Sequence, residues 1–401
     1  MRIHYLKILI FVFLLTSLSA KQTNWNLTGM PIINYNSDDG MGYGFTGNII
    51  DYAEGEYKPY YLKISPVIFR TTEGKRLYSL FIDSPYLMGQ TYRLKVRAVY
   101  HKANRAPYYG AGNSSSYNPE YIDQNSSKYR GKNYYIFNRT QYKFLFQLQH
   151  NLALIHSDKK GFSYLLGAGM NQGENYFKNN PAGPTKLEND LQQGNISKKS
   201  YQDGLSNFVK LGLLYDTRDS ESFTTSGAYE SLLIERHSEY FAGEFNFTRL
   251  TFIDRHYFEL HSKLVFANRI VWEKLFGTVP LTLNYPFGRA DKVYQGLGGV
   301  RTLRGVFKNR YFGNTEFFMN TELRYQFYSC ELLGQKFDFT GVIFNDFGRV
   351  WKNDMNGFNN LHFGRGAGLY LTWNKNFTCF VNFAYSNEAN LQIYIDTEFL
   401  F

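Results

Sequence analysis

The sequence predicts an all-β fold, a sixteen-stranded antiparallel transmembrane β-barrel, and three observations lead to it. The chain is rich in aromatic residues, with 36 Phe, 34 Tyr and 4 Trp, or 18% of its length, yet its mean hydropathy is −0.40. Low hydropathy excludes a bundle of lipid-spanning helices, and the aromatic and apolar content excludes disorder. Tyr and Phe favour strands. Period-two alternation then dominates the chain, with apolar residues on one side and charged ones on the other. Finally, the strand count is even and the long gaps fall on one side.

The alternation is explicit in several segments. Leu94, Val96, Ala98 and Tyr100 alternate with Arg93, Lys95, Arg97 and His101, with Val99 as the exception. Tyr142, Phe144, Phe146 and Leu148 alternate with Gln141, Lys143, Gln147 and Gln149. Phe317, Met319, Leu323 and Phe327 alternate with Glu316, Asn320, Glu322, Arg324 and Gln326. A polar face this charged cannot be the core of a sandwich. An apolar outside around a wet inside is the transmembrane barrel pattern.

In order, the strands are expected at 29–36, 41–51, 60–71, 76–84, 92–102, 134–155, 161–172, 206–217, 227–238, 243–255, 257–270, 313–327, 337–350, 361–374, 377–386 and 391–401. The gaps 103–133, 173–205 and 271–312 all follow odd-numbered strands, so they share one side of the membrane. Short turns such as 85–91 and 156–160 take the other. Long external loops and short periplasmic turns are the asymmetry of outer-membrane barrels. Closure follows because lipid cannot satisfy an open strand edge.

The ends carry their own signals. Residues 1–20 read as a signal peptide: Arg2 and Lys7 are basic, Ile8 to Leu18 is a short apolar run, and Ser19 and Ala20 offer a small-residue cleavage site. Residues 21–401 are expected to be one barrel domain. Two cysteines, Cys330 and Cys379, are too few for a disulfide-held secreted domain, and two free, buried thiols are expected. The net charge of +10 comes from dispersed Lys and Arg. With no basic block in an exported chain, anionic lipid headgroups or an anionic permeant fit better than nucleic acid.

Three ordered motifs carry the most information. Leu303-Arg304-Gly305-Val306 lies in the third long gap, Thr321-Glu322-Leu323-Arg324-Tyr325 follows, and Phe344-Asn345-Asp346-Phe347-Gly348 comes next. In this order they resemble the BamA/TamA superfamily of outer-membrane barrels, also called the bacterial surface antigen family, with Val306 where an aromatic is usual. Pro31 to Tyr35 resembles that family's first strand. Tyr215-Asp216-Thr217-Arg218-Asp219 resembles its turn motif ahead of a strand beginning at Gly227. The resemblance covers the whole mature chain. It implies that the loop of about 271–312 folds into the lumen and that Arg304, Gly305, Glu322, Asp346 and Gly348 form a lumenal loop lock. It also implies a lateral gate between the first and last strands, with Ile393, Ile395, Phe399 and Phe401 on the last one.

The residue chemistry reads alongside. By parity, Glu322 and Asp346 face the lumen, where two carboxylates can grip one guanidinium in a fork. Gly305 frees the backbone for a tip turn. The alternative is a solvated Arg304, with the two acids lining a wet pore. Phe401 reads either as a signal for the assembly machinery or as a plain hydrophobic strand end.

Other patterns are weaker. Gly42-Tyr-Gly44-Phe-Thr-Gly47 matches a dinucleotide fingerprint but lies in a strand with no helix after it. Asp38-Asp39-Gly40 is ordinary hairpin chemistry. Asp216, Asp219 and Glu221 read as an acidic turn. The eight His are scattered, so neither a metal nor a cofactor is expected. No catalytic residues are expected either; a barrel-type lipid hydrolase would need His362 beside Ser386, and no Gly-x-Ser-x-Gly elbow is present.

The function this implies is outer-membrane biogenesis, by insertion or translocation of proteins or lipids at the gate. Expected partners are outer-membrane lipids and lipopolysaccharide, a client protein or lipid, and a separate periplasmic accessory protein. That last partner is expected because the chain has no room for the periplasmic repeat domains of well-studied insertases. The alternatives are a pore or transporter for small anionic solutes, using Arg93, Lys95 and Arg97, and the lipid hydrolase.

Overall fold

A computed structural model describes residues 25–401, except 37–39, 58–59, 88–90, 157–159, 222, 282–295, 333, 353–354, 374–376 and 398–399. The signal segment 1–20 and Phe399 therefore lie outside the described residues. No described helix is long and apolar enough to cross a membrane.

Sixteen strands form one antiparallel sheet in which each pairs with its neighbours in sequence. They are β1 (Asn26–Asn36), β2 (Gly40–Asp51), β3 (Leu62–Thr71), β4 (Arg76–Leu87), β5 (Tyr92–Pro107), β6 (Ile136–His156), β7 (Lys160–Phe177) and β8 (Gly204–Asp216). The second half comprises β9 (Gly227–His237), β10 (Phe247–His261), β11 (Leu264–Gly277), β12 (Thr315–Leu332), β13 (Gln335–Trp351), β14 (His362–Trp373), β15 (Phe377–Ser386) and β16 (Gln392–Thr397). Among the described residues no ladder joins β16 to β1.

The sheet curls so that its charged face is inside. Arg93 of β5 reaches Glu221 in the turn after β8 at 2.5 Å, and Asn113 after β5 donates its side-chain amide to the carbonyl of Asn360 at 2.8 Å. Inside, Lys210, Glu235, Arg249, Arg255, Asn320, Glu322 and Asp346 are buried. Outside, Phe144, Leu213, Ile234, Ile343, Leu369, Ile393 and Ile395 are exposed, as a lipid-facing wall requires.

Four departures from the expected elements have physical causes. The turn between β10 and β11 falls at 262–263, not at His256; Asp254, Arg255 and His256 look like a turn but continue the ladder. β11 runs to Gly277, so the third loop starts later than 271. The segment 178–203 contains two short helices, α1 (Lys186–Gln192) and α2 (Lys198–Tyr201). α1 opens with a capping box, in which Thr185 accepts from the Glu188 N–H and the Glu188 carboxylate accepts back from Thr185. Lastly, the described part of β16 is Gln392–Thr397, and Leu400 and Phe401 are buried against Tyr257 and Ala267. Phe401 is thus off the strand and off the lipid face, drawn in by the guanidiniums of Arg269 and Arg324, each 5.1 Å from its ring.

The thiols of Cys330 and Cys379 are unpaired and partly exposed rather than buried. Many aromatics sit neither in the lipid face nor in its girdles. Tyr108, Phe137 and Phe312 pack with Leu187, Ile196 and Leu281 in a cluster joining the loop after β5, the helical segment and the third loop. Arg310 extends that cap, donating to the Ser115 carbonyl at 2.6 Å and pairing with Glu388 at 2.9 Å.

Candidate functional site

The third loop re-enters the barrel after β11 and returns as a compact turn over 296–311. A bridge between Leu297 and Tyr311 closes its base. Gly299 N–H donates to the carbonyls of Leu303 and Val306, both at 3.1 Å. Thr302 ties the stem by accepting from the Gly298 N–H at 2.9 Å and donating to the Gly296 carbonyl at 2.9 Å. Leu303 and Val306 are buried with Ile253, Val271, Phe318 and Val350. A small aliphatic suffices at position 306 because strand side chains fill the surrounding space.

Arg304 projects from this turn and is fully buried. Its Nε and second terminal nitrogen donate to the two oxygens of Asp346 at 2.7 and 2.8 Å, a bidentate fork. Its other terminal nitrogen reaches Glu322 at 2.6 Å. Its backbone N–H also donates to Asp346, at 3.0 Å. The guanidinium lies 3.6 Å from the centre of the Phe344 ring, close enough for a cation–π contact. Burial alone would favour neutral Arg304, but Asp346 and Glu322 outweigh it and hold the proton well above the usual arginine range. Glu322 also accepts from Arg324 at 2.8 Å and from the Tyr370 hydroxyl at 3.3 Å. The fork is thus one part of a larger charge-balanced network.

The register explains why these groups meet. Glu322 is the cross-strand partner of Phe344, and Asn320 is the partner of Asp346. Glu322, Phe344, Asn320 and Asp346 therefore share one patch of the inner wall. Asn320 serves the same loop, donating to the Thr302 carbonyl at 2.6 Å. Arg269 of β11 donates to Asn320 at 2.6 Å, to the Arg301 carbonyl at 2.7 Å and to the Leu400 carbonyl at 3.2 Å.

Glycines set how closely the loop fits. Gly305 has φ +88°, and a Cβ there would stand 2.7 Å from the Tyr385 carbonyl oxygen. Gly364 faces the tip so closely that a Cβ would fall 1.7 Å from the Arg304 carbonyl oxygen. Gly348 leaves room for Leu297, whose Cδ1 would be 3.0 Å from a Cβ. The tip also touches the last strands: the Gly305 N–H donates to the Tyr394 hydroxyl at 3.1 Å, and Ser386 donates to the Gly305 carbonyl at 2.7 Å.

Arg304, Gly305, Glu322, Asp346 and Gly348 therefore come together at one place. Ile393 and Ile395 stand apart, exposed on the outer face of β16. Phe401 lies inside, near Arg269. Sequence reasoning missed Phe344, Tyr370, Asn320, Arg269, Gly364 and Tyr394. Parity alone placed Phe344 and Asn320 on the lumenal face, so that signal was available; the contacts of Gly364 and Tyr394 depend on a loop path that no periodicity encodes.

The other candidate patterns have ordinary partners. Ser386 is engaged with Gly305, and His362 Nε2 is 3.2 Å from the Asn113 carbonyl while its ring stacks on Tyr311. Asp219 accepts from the N–H groups of Ser220, Thr225 and Ser226. Asp216 holds Arg218 at 2.6 Å, so the acidic turn is filled by its own chain. Gly227, at φ +98°, lets that turn close, since a Cβ would be 2.4 Å from the Thr217 carbonyl oxygen. Of the three basic residues proposed for an anion path, Arg93 is bridged to Asp83 at 2.7 Å as well as to Glu221.

The model of the Omp85 superfamily domain matches residues 63–398. The chain belongs to the Omp85 superfamily. It is a bacterial outer-membrane barrel of the kind that serves protein insertion or translocation. Among solved structures, BamA from Haemophilus ducreyi lacking POTRA domains 1–3 aligns with a TM-score of 0.54 at 15% identity, covering 94% of this chain and 69% of that one. CdiB from Escherichia coli aligns with a TM-score of 0.58 at 11% identity, covering 94% and 63%. At these identities the likeness is one of fold. Comparison with curated proteins finds no match.

Proposed function

We propose that this barrel inserts or translocates client proteins or lipids at the seam between β1 and β16, with the third loop held in the lumen by Arg304. The observation that carries the reading is the burial of Arg304 between Glu322 and Asp346 on a tip that also bonds to β16 through Tyr394. A buried guanidinium is tolerated only with such partners. The bond to Tyr394 gives the loop a direct hold on the last strand. β16 supports the reading further: Ile393 and Ile395 point outward from it. Parting the seam would let a client strand pair with the exposed edge.

Outer-membrane phospholipid and lipopolysaccharide are the expected surroundings, and a separate periplasmic protein is the expected source of clients. The test is the folding rate of a small unrelated barrel into liposomes with and without this protein. Acceleration that scales with its amount is expected. An unchanged rate, in the presence and absence of periplasmic extract, overturns the reading.

A further inference from the structure

Among the described residues, the outer wall carries a cluster of potential metal ligands that neither the barrel nor the Arg304 contacts require. Glu230 of β9 and Asp254 of β10 are direct cross-strand partners, and His256 lies two residues further along β10 on the same face. His256 Nε2 is 2.8 Å from Asp254 Oδ1 and 3.8 Å from Glu230 Oε1. One ligand atom from each of the three lies within 4.8 Å of the others.

The cluster faces outward. Leu232 and Ile234 on β9 and Phe252, Phe258 and Leu260 on β10 share its side of the wall and are exposed. Apolar side chains therefore flank it above and below. Two carboxylates and an imidazole thus stand on the outer wall with exposed apolar side chains on either side along their strands, where ionisable groups are costly.

We propose that Glu230, Asp254 and His256 form a binding site for a first-row divalent cation, Zn²⁺ foremost. The chemistry fits in three respects. A divalent ion cancels the charge of both carboxylates, which their place among apolar residues demands. An imidazole with two carboxylates is a donor set for a borderline metal rather than for Mg²⁺ or Ca²⁺, which prefer oxygen alone. Ligands about 2.1 Å from a tetrahedral ion stand about 3.4 Å from one another, between the two separations given above. The strands supply preorganisation, because two adjacent ladder positions fix all three side chains. The fourth coordination position faces outward from the wall, away from the strands.

The test is Zn²⁺ titration of the untagged full chain in detergent micelles and in phosphatidylcholine liposomes, by calorimetry and equilibrium dialysis. One equivalent per chain is expected for the wild type, with at least tenfold weaker binding for His256→Ala and for Glu230→Gln with Asp254→Asn. Heat-modifiable migration on gels checks that each variant is a folded barrel. Stoichiometric binding that survives all these substitutions overturns the proposal, as does the absence of binding by folded wild type. Should the variants fail to fold, diethyl pyrocarbonate modification of the folded wild type with and without Zn²⁺ decides: slower modification of His256 with Zn²⁺ present supports the site, and modification at the same rate refutes it.

Discussion

Replacing Arg304 with alanine removes the side chain that, among the described residues, ties the third loop to Glu322 and Asp346 together. The consequences for the two acids differ. Glu322 keeps Arg324 at 2.7 Å and the Tyr370 hydroxyl. Asp346 loses its fork and keeps the N–H of residue 304 only while the tip stays in place. Breaking a buried pair by removing one partner costs about 3–5 kcal/mol. At about 1.4 kcal/mol per decade, that shifts the docked loop by roughly a hundred- to several-thousandfold relative to its released states. Val306 and the Arg269 bonds still oppose release, so the loop is loosened rather than expelled. Single-channel recording in planar bilayers reads this directly. The wild type should be nearly closed. Arg304→Ala should conduct in frequent, fluctuating openings, and Arg304→Lys should fall between them, since an ammonium cannot form the fork. Identical traces for wild type and Arg304→Ala, or a large, steady, anion-selective wild-type current, would refute the plugged lumen.

Other substitutions probe the fit of the tip. Gly364→Ala should displace the loop, because the new methyl would lie 1.7 Å from the Arg304 carbonyl oxygen; limited proteolysis within 278–314 should accelerate, and an unchanged pattern counts against the close approach. Gly305→Ala at φ +88° should cost about 1–3 kcal/mol, read as a lower urea midpoint in micelles. Phe401→Ala strips the ring from between Arg269 and Arg324; it should lower the temperature of barrel unfolding, and an unaltered transition would show that the inward C-terminus contributes little.

The strands were legible because the outer wall and the lumen demand opposite residue types at every second position. That alternation gave sixteen strands in the right order, and it placed Glu322 and Asp346 on the lumenal side. It failed where a wall position is not apolar. His256 falls in the gap between the expected strands 243–255 and 257–270 because a charged residue on a lipid-facing strand breaks the pattern. The same exception is what makes the cluster with Glu230 informative. Phe401 was misplaced for a related reason: an aromatic residue at alternating spacing looks lipid-facing, but the guanidiniums of Arg269 and Arg324 hold it inside. Of the lock, Arg304, Gly305, Glu322, Asp346 and Gly348 stood out through motif order. The close packing at Gly364 and the reach to Tyr394 were invisible, since both depend on the path of a loop through three dimensions.

The seam beside β16 as the site of client engagement is tested most directly by photocrosslinking during insertion. A benzophenone amino acid is placed at Ile393 or Ile395 on β16 and, as controls equally exposed to lipid, at Ile343 or Leu369 on β13 and β14. A small radiolabelled barrel is then folded into the same liposomes. Client adducts from positions 393 and 395, with few or none from 343 and 369, are the predicted result. Equal labelling from all four positions, or none from β16, would contradict a gate between the first and last strands.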